Sequence, residues 1–570
     1  MHIGIDLGTT NTVLSYARRK VRGGIEPKVL KINQLDEFNA SVQEEILPSV
    51  LFLDFEGNVV IGKKAKYMKQ YHPERIISNS KRYIGTSMVF SIEDRQFTPV
   101  DVAIYILQVC KATVDQNFGG KEIEQVTITV PASFNTDQIR DTRLAAIKAG
   151  FPADKIRIIP EPTAAFIDFV NDQSELVEED RLIDLSSKKR VLVFDLGGGT
   201  CDIVVMDVEQ NGMSLKVEEK AVGRYSELGG IDFDLAATKY LMQKFFTENK
   251  IKGEDVDLVE QSQMVNKLLV FCEKAKEYFS NQMIYESSED KSNITFKMNI
   301  PEFFRGKSQL FSISLKEYDL ATKELYKRSD VQAKTIEDFE KCKNIVDPIF
   351  ETFEGYDINP NSIDYIFATG GMSLYYKVRE KLQQLFPKSK LIVATNPLEA
   401  VSRGAAIFSF YEVEIKKQTS DQEVISKPVS CDISSEMEII TKTVLAESIM
   451  IDVEEGLPRE IIPKNQTVPF KGVIKDSFRV TSPSGIKVDI YAGENYYDCK
   501  MRIQKSFTGR FKFPVTPGTP LDIEYEIDEN KFLKIRVVIK DGINPPIELD
   551  VDADIKTLEY KERQGVKISK

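Results

Sequence analysis

Two glycine-rich strand-turns constrain the fold of this chain more than any other feature. Residues 3–12 read IGIDLGTTNT and residues 192–205 read LVFDLGGGTCDIVV. Both run as apolar strand, Asp-Leu-Gly, small residues ending in Thr, and a second strand. Such a turn lets backbone N–H groups crowd around phosphate oxygens with no Cβ in the way. An Asp ending the first strand can hold the water shell of a Mg²⁺ ion. One Asp-Leu-Gly is an ordinary β-turn. Two with matching flanks predict a duplicated fold that clamps one metal-bound polyphosphate.

Bulk properties narrow the remaining choices. At 570 residues the chain is too long for one core. A net charge of −12 argues against a general nucleic-acid or anionic-membrane binder. No apolar run is long enough to cross a bilayer, and Met1 leads almost directly into the first strand without a signal-peptide pattern. The six cysteines form no CxxC pair, which suits a reducing cytoplasm. Only two histidines are present, His2 and His72, which removes His-based zinc sites and Ser-His-Asp triads from consideration.

Strand and helix patterns alternate over residues 1–415, as expected of an α/β domain. VTITVPASFN (residues 126–135) is a strand stopped by Pro131 and followed by a polar helix. RIIPEPTAAFIDFV (157–170) is strand, turn and helix, and YIFATGGMS (365–373) is a third strand entering a Gly pair. GNVVIGKK (57–64) imitates the start of a Walker A loop, but Lys64 stands where Ser or Thr must bind Mg²⁺, so it reads as a hairpin strand entering a helix. Residues 416–434 turn polar and are the expected linker. Residues 435–553 alternate with period two between Gly and Pro turns, the pattern of a β-sandwich. A charged tail, 554–570, follows.

In order, DLGTTN, KRYIG, VPASFN, EPTAA, DLGGGTCD, LGGIDFD, CEKAKE, TGG and NPLEAVSRGAA resemble the DnaK-type, seventy-kilodalton heat-shock chaperones. SIMIDVEEGLPREIIPKNQTVP (448–469) is similar to the family's peptide-binding β-sandwich. The resemblance implies an actin-like ATPase, two lobes of duplicated fold around a cleft, followed by an all-β substrate domain. It implies a chaperone that binds ATP or ADP with Mg²⁺ and hydrolyses ATP slowly. It also implies unfolded or extended polypeptide as partner, with J-domain co-chaperones and nucleotide exchange factors possible.

By that resemblance Gly8, Thr9, Thr10 and Asn11 line one phosphate turn, and Gly197, Gly198, Gly199 and Thr200 the other. Asp6 and Asp195 hold hydrated Mg²⁺ and Glu161 reaches it through water; the competing reading for all three is turn capping. Lys81 orients the attacking water and meets γ-phosphate charge, Thr200 positions that water, and Asp202 is a proton acceptor or a second turn cap. Gly229 and Gly230 fall at the ribose-side turn, and Gly370 and Gly371 beside the base. Glu273 and Lys276 are retained there, but Glu277 and Leu374 replace the two arginines that sandwich adenine in the family, and Met372 replaces a serine. Tyr375 is the expected substitute stacking face. Pro131 lies where the family relays cleft closure to the peptide domain; the family's arginine there aligns with Ile139, and Arg140 is its neighbour.

Ile451, Val453, Ile486 and Val488 match the family's peptide-pocket positions, although alternation alone reads them equally well as sandwich core. Glu454 stands at an arch position that is apolar in the family, which points to basic peptides or to a degenerate groove. The segment matching the family's apolar linker, IITKT (439–443), is polar and lacks its Asp. With the chain ending soon after the last strand, no helical lid is expected. Two other readings stay open: a nucleotide-gated adaptor or exchange factor with one dedicated partner, and a small-molecule kinase or filament-forming protein on the same ATPase fold.

Overall fold

A computed structural model describes residues 1–549 apart from 22–23, 212–213, 224–226, 286–293, 330–342, 425–437, 454–456, 494–504, 529–530 and 532. The duplication expected from the paired turns appears as two sheets with one topology. In the first, strand His2–Leu7 runs antiparallel to Asn11–Arg19 and parallel to Gln125–Val130, with Ile156–Pro160 parallel beyond that. In the second, Lys189–Leu196 runs antiparallel to Cys201–Asn211 and parallel to Tyr365–Thr369, with Lys390–Val393 parallel beyond. Each Asp-Leu-Gly therefore ends a central strand, buried on both faces, which explains its continuous apolar run.

Helices Glu161–Ser174 and Ala400–Val424 share one core with both sheets: Ile159 of the first sheet, Val193 and Val204 of the second, and Ala165 and Ala405 of the helices belong to it. The helices approach so closely that a Cβ on Gly404 would sit 1.8 Å from the Ala164 carbonyl oxygen. Arg403 and Asp168, 3.1 Å apart, pair across the same contact. Because the start of each helix lies beside a turn of the candidate site, this packing sets the spacing of the turns.

The Walker-like stretch folds as strand Val59–Ile61 and helix Lys63–Met68, as its sequence predicts. The polar stretch expected as linker begins as helix, since Ala400–Val424 continues through its first residues. Its remainder lies outside the described residues. Strand Glu438–Val444, which contains the IITKT segment, joins the second sheet parallel to Ser214–Val222, and Thr467–Val468 pairs with it. The strand lies between those two neighbours, inside the sheet, and its alternate residues Ile440 and Lys442 face water.

Two antiparallel four-stranded sheets follow. One contains Ser448–Val453, Leu457–Ile462, Gly485–Gly493 and Lys505–Arg510; the other contains Phe470–Arg479, Pro520–Ile527, Leu533–Ile539 and Ile547–Leu549. Alternate residues such as Leu521, Ile523, Ile535 and Val537 point into one shared core, as their period-two pattern requires. The charged tail lies outside the described residues.

Candidate functional site

Both glycine-rich turns reach the same place. One cavity of about 80 Å³ is lined by Asp6, Gly8, Thr9, Thr10 and Asn11 from the first, and by Asp195, Gly197, Gly198, Gly199 and Thr200 from the second. Lys81, Glu161, Gly370 and Gly371 complete its wall. The turns press against each other: a Cβ on Gly198 would lie 2.1 Å from Thr10 Oγ1, so only glycine fits there. The hydroxyls of Thr9 and Thr10 are buried without hydrogen-bond partners, as acceptor-seeking groups at a phosphate site would be.

Charge in this cavity is unbalanced. Lys81 sits in the short helix Ser80–Tyr83, and its ammonium pairs with the Glu161 carboxylate, both nearly buried. Burial first, then the charge of Glu161, pushes Asp6 up to about 7, with Lys81 opposing. The same two causes drive Asp202 up to about 7, against a hydrogen bond from the Ser133 hydroxyl at 2.9 Å. Asp195 is raised well above the carboxylate range by burial, Glu161, Asp202 and Asp6. Three carboxylates of this cavity, Asp6, Glu161 and Asp195, face one lysine, with Asp202 buried behind them, an arrangement that a bound cation would relieve.

The donor set therefore fits a divalent ion. Among the described residues no three His, Cys, Asp or Glu side chains come close enough to hold a metal directly. The carboxylates would act on its water ligands, as Mg²⁺ commonly prefers.

Other predicted residues lie behind or beside this cavity. Asp202 does not line it: the residue is opposite Asp195 in the antiparallel pair and nearly fully buried. Gly229 packs against the Gly198–Gly199 backbone, and the Gly230 N–H donates to the Gly197 carbonyl at 3.0 Å. Lys276 donates to Asp234 at 2.6 Å and to the Gly230 carbonyl at 3.1 Å, while Glu273 pairs with Lys66 at 2.8 Å. The expectation for Tyr375 fails. Its ring is buried against Tyr318 and Tyr376, and its hydroxyl donates to Asp319 at 2.9 Å, so no face is open to a base. The large ring satisfied its hydrogen bond in the core. Glu277 is exposed, Leu374 half-buried and Met372 buried beside Gly230.

Two contributors went unassigned in the sequence. Arg82 donates to the Gly199 carbonyl at 2.7 and 3.0 Å and to Asp232 at 3.2 Å, tying Lys81's helix to the second turn. Its adjacency to Lys81 was the available signal. Ser133, the donor to Asp202, lay inside VPASFN without any chemical cue. Arg140 pairs with Asp137 and Asp141 of its own helix, whereas Pro131 lines a second cavity of about 110 Å³ with Thr441, Thr443, Val468 and Lys531.

In the sandwich, Ile451, Ile486 and Val488 line a third cavity, of about 650 Å³, together with Phe478, Val480, Leu521 and Ile523. Val453 lies on the strand with Ile451; Glu454 lies outside the described residues.

A duplicated sheet pair bearing two opposed glycine-rich turns, followed by a β-sandwich, matches the assembly expected of a chaperone ATPase. The family model described as "Hsp70 protein" matches residues 2–541, and the chain belongs to that family. Among its relatives are proteins named Chaperone protein DnaK from Thermotoga petrophila, Thermotoga maritima and Thermosipho africanus, each 27% identical, covering 94% of this chain and 77% of the relative. Hsp70 proteins are actin-like ATPases joined to a β-sandwich, ATP-dependent molecular chaperones that bind ATP or ADP with Mg²⁺, and this chain shares those properties with its family. No helix among the described residues is long and apolar enough to cross a membrane.

Proposed function

We propose that this Hsp70 hydrolyses ATP slowly between the two Asp-Leu-Gly turns, one from each of two lobes, and uses the reaction to govern peptide held in its β-sandwich. The observation that carries this reading is the convergence of both turns, Lys81, Glu161, Asp6 and Asp195 on one cavity. Backbone amides of residues 8–11 and 197–200 would cradle the phosphates, and the free Thr9 and Thr10 hydroxyls would donate to them. Bound Mg²⁺ would neutralise charge on the transferred phosphoryl group; Asp6, Asp195 and, through water, Glu161 would hold it. Lys81 would orient the attacking water, Thr200 would position it, and Asp202, steadied by Ser133, would receive its proton. Gly229, Gly230, Glu273, Lys276, Gly370 and Gly371 would face the nucleoside.

Coupling to the sandwich has a physical route. Glu219, buried in the second sheet, accepts from the Thr163 hydroxyl at 3.2 Å and from the Val444 N–H at 3.1 Å. Lys531, in the turn between two sandwich strands, is buried beside it and donates to the Ala132 carbonyl at 3.3 Å. Ala132 and Ser133 are neighbours, so a sandwich residue reaches within one position of the Asp202 partner. Residues 1–415 and 435–553 then act as ATPase and substrate units, with Ile451, Val453, Glu454, Ile486 and Val488 about the peptide. Unfolded polypeptide in the cytoplasm is the proposed client, and J-domain and exchange-factor proteins the proposed co-chaperones. ATP turnover of the full chain, with and without a short apolar peptide, tests the reading. Stimulation by peptide together with ATP-driven peptide release supports it; hydrolysis indifferent to peptide refutes the coupling and favours a dedicated adaptor.

A further inference from the structure

The 650 Å³ sandwich cavity has an apolar floor and a basic rim. Ile451, Val480, Val488, Leu521 and Ile523 are nearly fully buried beneath it. Arg479, Lys487 and Arg510 line its mouth with exposed side chains, and no Asp or Glu is among the described residues that line it. A fourth cation, Arg459, lies 5.7 Å over the ring of Phe478, another lining residue. Lys487 shares its charge with Asp489 at 2.8 Å, whereas Arg479 and Arg510 have no acidic partner among the described residues. Such clustering runs against the chain's net charge of −12.

An extended peptide lies in a β-sandwich groove by backbone bonds and one apolar anchor, and its flanking residues meet the rim. We infer that this cavity selects extended peptides whose aliphatic anchor is flanked by Asp or Glu. The inference rests on the reading of the cavity as the peptide site. It also reverses the sign expected from Glu454 in the sequence, because Arg479, Lys487 and Arg510 line the mouth on either side of the anchor. Opposed charges at an exposed rim contribute individually little, a factor of a few each, so three together give a preference of about tenfold.

Fluorescence anisotropy on the full chain with ADP and Mg²⁺ tests this. The probes are dye-labelled peptides with a Leu-Leu-Leu centre flanked on both sides by two Asp, two Gln or two Lys. The Asp-flanked peptide should bind about tenfold more tightly than the Lys-flanked one at 50 mM salt, with the gap closing towards 500 mM. The exposed-residue variant Arg479→Gln/Lys487→Gln/Arg510→Gln should erase the order while holding Gln-flanked affinity within about twofold. Equal or tighter binding of the Lys-flanked peptide overturns the inference and assigns control to Glu454. If the Gln-flanked peptide binds, and is lost in a folded Val488→Phe variant, while charge makes no difference, the peptide site stands and the rim selectivity falls. If none of the three peptides binds, both readings fall.

Discussion

Replacing Lys81 by Met removes the one described cation that acts on Asp6, Asp195 and Asp202 alike. The lysine and its partner Glu161 are almost fully buried, with side-chain exposures of 7% and 10%. Two unit charges about 4 Å apart interact by about 4 kcal/mol at an effective dielectric near 20. Stranding one member of a buried pair costs about 3–5 kcal/mol in stability. In the proposed mechanism the loss is the charge that meets the γ-phosphate, worth about 3–4 kcal/mol, or a fall of 10²–10³ in rate. The two effects separate in Lys81→Met/Glu161→Gln, where the Glu161 carboxylate is no longer left without its partner. That double variant should recover about 2 kcal/mol of stability relative to the single one and still hydrolyse about a hundredfold more slowly than wild type. Single-turnover ATP hydrolysis, read beside thermal melts without nucleotide, measures both. A single variant within about threefold of the wild-type rate would refute the reasoning. So would a double variant whose rate returns with its stability, since Lys81 would then only hold Glu161 in place.

Further outcomes follow from the same geometry. Asp202, held at about 7 rather than 3.8, keeps its proton in the fold after the unfolded chain has lost it. The nucleotide-free protein should therefore lose stability from this group as pH rises from about 4 to about 7, and Asp202→Asn should flatten that decline in melts taken across the window. Gly198→Ala drives a methyl into Thr10 and forces the turns apart, so labelled-nucleotide affinity should fall by at least about tenfold, equivalent to about 1.4 kcal/mol, while sandwich stability is unchanged. Lys531→Ala should leave basal hydrolysis intact but abolish its stimulation by peptide, with the ratio of stimulated to basal rate as readout. Gly404→Ala, aimed at the Ala164 carbonyl, should lower the melting temperature through overpacking of about 1–3 kcal/mol or more.

Local chemistry made part of this protein legible in one dimension. The paired Asp-Leu-Gly turns are short-range devices: strand, glycine and carboxylate occupy adjacent positions, so a duplicated phosphate clamp can be read from ten residues at a time. The period-two alternation of residues 520–539 gave the sandwich in the same way. Lys81 and Glu161 were legible only through the family pattern, since a lysine before Arg-Tyr and a glutamate before Pro162 have no chemistry visible on their own.

Long-range packing decided the rest. Tyr375 had the composition of a stacking face, and its fate depended on a carboxylate, Asp319, that only the folded helices bring within 2.9 Å. The IITKT segment became a strand of the second sheet because Ser214–Val222 and Thr467–Val468 offered it backbone partners, which no local propensity records. Lys531 meets Glu219 and Ala132 from hundreds of residues away along the chain. The sequence by itself determined the two turns, the two structural regimes and the chemistry each can perform, because those depend on neighbours a few bonds apart. Tertiary structure alone decided which carboxylates share one buried lysine, which charges ring the sandwich cavity and where the sandwich touches the ATPase, because burial and Coulombic distance are properties of the packed molecule.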